Sequence, residues 1–164
     1  MVLYLCLMLV KITAIGKTDD LKLQQLIQVY TNRIKRYVKF ELQIIPDLKN
    51  RSKLSFQEQK RKEGELLLKQ FKNSDYVVLL DENGKQYSSV EFANYLQQRM
   101  NSGAKCLCFV IGGPYGFSEE VYKRAQGKLS LSKMTFSHQM VRLFFCEQVY
   151  RGFSILNNEP YHHQ

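Results

Sequence analysis

The chain has 164 residues, a length that fits one domain built around a single core. Its 45% hydrophobic and 24% charged residues are the ordinary balance of a soluble globular protein. The net charge of +9 is not ordinary, and it points to polyanionic partners, nucleic acid or anionic membrane, while saying nothing about fold.

The opening run MVLYLCLMLV stops at Lys11. A membrane-spanning helix needs roughly 20 apolar residues, and neither a basic leader nor a small-residue cleavage site is visible. The strand pattern begins near Met8, so residues 1–7 read as an N-terminal extension, or as the first strand prolonged, ahead of a single domain over 8–164, in an unprocessed cytoplasmic protein with no membrane segment. A strand, VKITAIG, starts at Val10. DLKLQQLIQVYTNRIKRY then places Leu23, Leu26, Ile27, Tyr30 and Ile34 on one helical face. FELQII from Phe40 is a second strand closed by Pro46, and the polar PDLKNRSKLS reads as a loop. Ser55 and Glu58 form a capping box that opens a helix through Phe71. YVVLLD from Tyr76 is an apolar strand, and ENGK after it is a turn signal. A second capping box, Ser88 with Glu91, opens a helix to about Asn101, with Gly103 as its stop.

CLCFVI from Cys106 is apolar throughout, as strands are when helices cover both faces of a parallel sheet. Ser118, Glu119 and Glu120 make a helix start, KLSLSKM adds a short fifth strand, and a long final helix begins near His138. The alternation of strands and helices makes the fold class α/β. Of the four cysteines, Cys6, Cys106, Cys108 and Cys146, none forms a CxxC pair, and only three histidines accompany them. The cysteines read as buried free thiols, with no metal site. From Arg33 to Lys62 there are ten Lys or Arg against three Asp or Glu, in the clusters RIKRYVK, LKNRSK and QKRK. Each alone could be a solvated helix face; three in one stretch favour a phosphate-facing surface.

The stretch FVIGGPYGFSEE has three readings. Bare N–H groups at a helix start could cradle phosphate, but IGGPYG lacks the Lys-Ser/Thr of a P-loop, and Pro114 removes a donor. It could be a plain strand-to-helix turn. Ligands of open α/β sheets also sit beyond strand carboxyl ends, where VVLLD and FVIGG both finish.

LSLSKMTFSHQMVRLFFCEQVYRGFSILNNEPYHHQ, taken with VIGGPYG and VVLLDENGK, closely resembles the RlmH family of SPOUT methyltransferases. The resemblance runs over nearly the whole chain from Met8, including ITAIGK and the KEGE of the second helix. It implies an S-adenosyl-L-methionine-dependent enzyme that methylates N3 of a pseudouridine in large-subunit (23S) ribosomal RNA, free or in the assembled ribosome. It also implies a mainly parallel sheet flanked by helices, a C-terminal trefoil knot and a homodimer; a non-catalytic RNA-binding protein of the same fold is the alternative. Carried over by motif, the cofactor contacts fall on Leu80, Gly112 and Gly113, and on Ser132, Lys133, Met134, Thr135, Phe136 and Ser137. The chain departs from many relatives in having Tyr115 in place of an acid and FSHQMVR in place of LPHPLVR.

Methyl transfer from a sulfonium needs no metal, but the N3 proton must leave, so a base or a cation near the carbonyl oxygens helps. Arg142, early in the final helix, is the expected cation, with a surface or phosphate contact as its alternative. Tyr161 and His162 of EPYHHQ are expected to approach the target base, against ordinary terminal disorder. His138 is a catalytic candidate whose alternative is packing or capping at a helix start.

Overall fold

A computed structural model describes residues 8–163. The expected extension over 1–7, and Cys6 within it, lie outside the described residues. Five strands, β1 (Leu9–Ile15), β2 (Lys39–Ile45), β3 (Asp75–Gln86), β4 (Cys106–Ile111) and β5 (Gly127–Ser130), form one parallel sheet in the order β2-β1-β4-β3-β5. The helices between and after them are α1 (Leu21–Ile34), α2 (Phe56–Leu68), α3 (Ser89–Asn101), α4 (Glu119–Arg124) and α5 (His138–Leu156).

Side chains alternate across the sheet and define two cores. Leu107, Phe109 and Ile111 of β4 face α1, α3 and α5, where Ile34, Leu96, Phe145, Val149 and Phe153 meet them. Cys106, Cys108 and Val110 face α2 and α4, with Leu67, Phe117 and Val121. Every residue of β4 is buried, which is why its sequence lacks polar alternation. Cys106, Cys108 and Cys146 are buried free thiols, as expected, and burial pushes Cys106 and Cys146 up to about 12.

Local signals hold where local chemistry decides. Both capping boxes are formed: the Ser55 hydroxyl accepts from Glu58 N at 3.2 Å while the Glu58 carboxylate accepts from Ser55 N at 2.8 Å, and Ser88 and Glu91 repeat the exchange. The expected face of α1 is corrected at one position. The helix buries Ile27, Thr31 and Ile34, but Leu26 is 49% exposed, since it lies about 100° round the helix from Ile27. Within the expected loop, Arg51–Lys53 form a single 3-10 turn.

The expected turn at ENGK is also corrected, because β3 continues to Gln86. Its pairing with β5 shifts register between Leu80 and Lys85, so Asp81 to Gly84 form an irregular, bulged stretch. Gly84 makes that pairing possible: a Cβ there would lie 2.6 Å from the Leu129 backbone.

Candidate functional site

Neighbouring strands β4, β3 and β5 end side by side, and the chain leaving each of them contributes a wall to one cleft of about 590 Å³. That volume lies within the usual range for small-molecule sites. The β3 wall is Leu80 and the bulge Asp81–Asn83; the β4 wall is Ile111 and the turn Gly112–Phe117; the third wall runs from Leu129 through the loop into His138 and Val141 of α5.

Of the expected cofactor residues, Leu80, Gly112, Gly113, Ser132, Met134, Thr135, Phe136 and Ser137 all line this cleft. Lys133 does not; it is exposed and lies outside the lining. The loop is shaped by its own serines. Ser130 Oγ donates to Ser132 O at 2.9 Å, Ser132 Oγ accepts from Met134 N at 2.9 Å, and Ser137 Oγ caps α5 by accepting from Met140 N at 3.2 Å.

The glycine turn differs from expectation in what its bare backbone approaches. A Cβ on Gly113 would lie 2.3 Å from Glu63 Oε2, and one on Gly112 would lie 3.0 Å from the Phe117 ring. The missing side chains make room for the protein's own buried groups. Glu63 of α2 is 2% exposed; its Oε1 accepts from Gln59 Nε2 at 2.8 Å, while its buried Oε2 has no hydrogen-bond partner. Burial holds the Glu63 carboxyl above the usual carboxylate range.

Asp81 and Glu82 put carboxylates on the cleft wall, and Asp81 is held by Asn83 N at 2.8 Å and by the Tyr122 hydroxyl. Reading ENGK as a turn missed Glu82, and Asp81 entered only as the end of VVLLD; an acidic pair at the end of an apolar strand run was the available signal. His138 stands on the cleft wall as the first residue of α5. Burial, with the Arg142 guanidinium nearby, lowers its pKa below the ordinary 6.5, so at neutral pH the imidazole is uncharged and can accept a proton.

Arg142, expected as the cation, is placed elsewhere. It is 0% exposed and does not line the cleft. Its Nη2 donates to Ile15 O at 2.6 Å and its Nη1 to Thr18 Oγ1 at 3.0 Å, so it ties α5 to the end of β1. Tyr161 and His162 are likewise outside the cleft of their own chain. The tail folds against α5 and α1. Tyr161 donates to Glu147 Oε1 at 3.0 Å, lies 3.5 Å from the Tyr30 hydroxyl, and carries the Arg151 guanidinium 4.7 Å above its ring. His162 Nδ1 is 3.3 Å from Arg151 Nη1, and Arg151 in turn pairs with Glu147 at 2.6 Å.

A second, more apolar cavity of about 320 Å³ adjoins the cleft and shares Leu129 to Leu131 and Phe136 with it. Beside it, Met134, Phe136, Met140 and Phe144 expose apolar side chains. Among the described residues no helix is long and apolar enough to cross a membrane, and no three His, Cys, Asp or Glu side chains are grouped so as to hold a metal ion.

Comparison with known proteins agrees with this geometry. A family model described as "Predicted SPOUT methyltransferase" matches residues 8–162. The chain is 65% identical over 157 residues to the Ribosomal RNA large subunit methyltransferase H of Christiangramia forsetii, covering 96% of this chain and 100% of that one. It is 55% identical over 157 residues to the protein of the same name from Parabacteroides distasonis, with the same coverage of 96% and 100%. Among solved structures, a probable methylase family protein from Haemophilus influenzae shares the fold, with a TM-score of 0.53 and 13% identity over 96% of this chain and 72% of that one. The chain belongs to the SPOUT methyltransferase family.

Proposed function

We propose that the chain transfers a methyl group from S-adenosyl-L-methionine to N3 of a pseudouridine in large-subunit (23S) ribosomal RNA, acting as a cytoplasmic homodimer on the RNA or the assembled ribosome. The observation that carries this reading is the single cleft where the ends of β3, β4 and β5 converge, in a chain so similar to proteins named for large-subunit ribosomal RNA methylation.

The cleft's residues suit that cofactor. Leu80, Ile111, Leu129 and Val141 offer apolar surface for a flat ring, and the main chain of 132–137 offers N–H and C=O groups to its edge. Asp81 and Glu82 suit a ligand bearing positive charge. When bound, S-adenosyl-L-methionine supplies an electrophilic methyl. The protein's tasks are then to align the acceptor, which can lower a barrier by about 7–11 kcal/mol, and to take the N3 proton. Uncharged His138 is the acceptor for that proton on the cleft's own wall.

Tyr161 and His162 enter the site through the partner. The exposed Met140 and Phe144 lie four apart on α5, so they share a face, and that face is the proposed dimer seam. An antiparallel, two-fold pairing of α5 centred near Phe144 puts His138 about 9 Å to one side and Arg151, which holds His162, about 10 Å to the other. Each tail thus comes to the partner's cleft. The trefoil threading of the segment after β5 belongs to the same reading.

The test uses ribosomes from a strain lacking this gene. Mass mapping of their RNA should find a missing methyl on a modified uridine, restored by the purified chain with S-adenosyl-L-methionine. A tail-truncated chain mixed with a Leu80→Glu chain should regain activity that neither has alone. A calorimetric titration showing no affinity for S-adenosyl-L-methionine would overturn the reading in favour of non-catalytic RNA binding.

A further inference from the structure

Two aromatic rings stand in contact outside both cores. Phe56 and Tyr115 have centroids 4.4 Å apart with planes inclined by 31°, yet they are 68% and 39% exposed. Phe56 is the first residue of α2, fixed there by the Ser55–Glu58 capping box. Tyr115 sits at the tip of the glycine turn, which Gly116 N closes on Gly113 O at 3.2 Å, and it also lines the cleft. The pair therefore carries the cleft wall outward as an aromatic step, held at both ends by backbone geometry.

Phe56 brings the basic stretch from Arg33 to Lys62 up to the step. Lys53 precedes it in the 3-10 turn, and Lys60 follows Phe56 by one helical turn. Arg51 is paired with Asp47 and Arg61 with Glu65, whereas Lys53 and Lys60 form no ion pair among the described residues. Exposed rings with unpaired lysines three residues before and one helical turn after Phe56 fit one chemistry in particular: a base stacked on the rings with its phosphates on the lysines.

We propose that the Phe56–Tyr115 step is a stacking platform for an unpaired nucleobase of the RNA substrate, adjacent to the nucleotide in the cleft, with Lys53 and Lys60 holding the flanking phosphates. The proposal rests on the RNA-methylation reading above, and Phe56 and Tyr115 act in it as positioning residues.

The chain contains no tryptophan, so Phe56→Trp creates a single reporter at the platform. Its emission should be quenched by a short single-stranded uridine-rich oligonucleotide, and not by an abasic oligonucleotide of equal length and charge. Phe56→Ala should weaken oligonucleotide binding by about 5- to 150-fold, the range of a lost base–aromatic stack, and raise KM for ribosomal substrate. Affinity for S-adenosyl-L-methionine should stay as in the unaltered protein, and Phe56→Tyr should restore RNA binding. Equal quenching by the abasic strand, or unchanged binding by Phe56→Ala, overturns the platform. A raised KM for ribosomes with unchanged oligonucleotide binding would mean contact with a ribosomal protein, which also overturns it. Failure of the methylation reading shows separately, as absent cofactor binding in the unaltered protein.

Discussion

Gly113→Ala tests how the cleft is supported. The added Cβ would lie 2.3 Å from Glu63 Oε2 and 2.9 Å from its Cδ, well inside contact distance. Glu63 cannot swing into solvent without uncovering a side chain that is 2% exposed and breaking its 2.8 Å bond from Gln59. Either the carboxyl shifts or the turn at 112–116 shifts, taking a cleft wall with it. Overpacking of this kind costs about 1–3 kcal/mol. In a Glu63→Ala background the obstacle is gone. Glu63→Ala itself strands the Gln59 amide, at a cost of about 1–3 kcal/mol, and a double-mutant cycle subtracts that. Urea denaturation of the four proteins should give a coupling of about 1–3 kcal/mol. Calorimetry with S-adenosyl-L-methionine should show weaker binding by Gly113→Ala, at least partly recovered in the double variant. If Gly113→Ala costs the same in both backgrounds, within about 0.5 kcal/mol, the buried carboxyl does not back the turn.

Three further outcomes follow from the same geometry. Arg142→Ala removes two hydrogen bonds of a buried guanidinium, so urea melting should show a loss of about 3 kcal/mol or more; lost activity with stability intact would instead make Arg142 catalytic. Glu63 binds its proton more tightly folded than unfolded, so its contribution is whole below the ordinary 4.5 and is lost as pH rises through the raised folded value. The urea midpoint of Glu63→Gln relative to the unaltered protein should therefore climb as pH rises above the ordinary 4.5; a constant difference would show that Glu63 titrates normally. His138 must be uncharged to take a proton, and its pKa lies below 6.5, so the methylation rate should be flat above that value and fall in more acid solution. His138→Asn should abolish this acid limb, and a limb that persists belongs to another group.

What could be read in the sequence follows the range of the interactions. The two capping boxes and the start of α5 at His138 are set by residues three apart, and they were legible. The buried parallel strands were legible because β4 has no polar position to misplace. The turn at ENGK misled because Gly84 answers to the backbone of Leu129, 45 residues on, and no local signal records that approach. Arg142 reads in the sequence as a cation for the reaction or, alternatively, for the surface; only the end of β1, with Ile15 O and Thr18 Oγ1, draws it inside. The tail could not be placed from sequence either, since Tyr161 finds Tyr30 across 131 residues. Family motifs marked most of the loop that walls the cleft after β5, while the turn reading of ENGK passed over Glu82.

The proposed function requires one ligand enclosed by the chain leaving β3, β4 and β5, and crystals grown with S-adenosyl-L-homocysteine would reveal it. Density is expected for one molecule per chain, in contact with Leu80, the Gly112–Gly113 turn and the 132–137 loop. Density seated anywhere else on the chain, with that cleft filled by solvent, would contradict it.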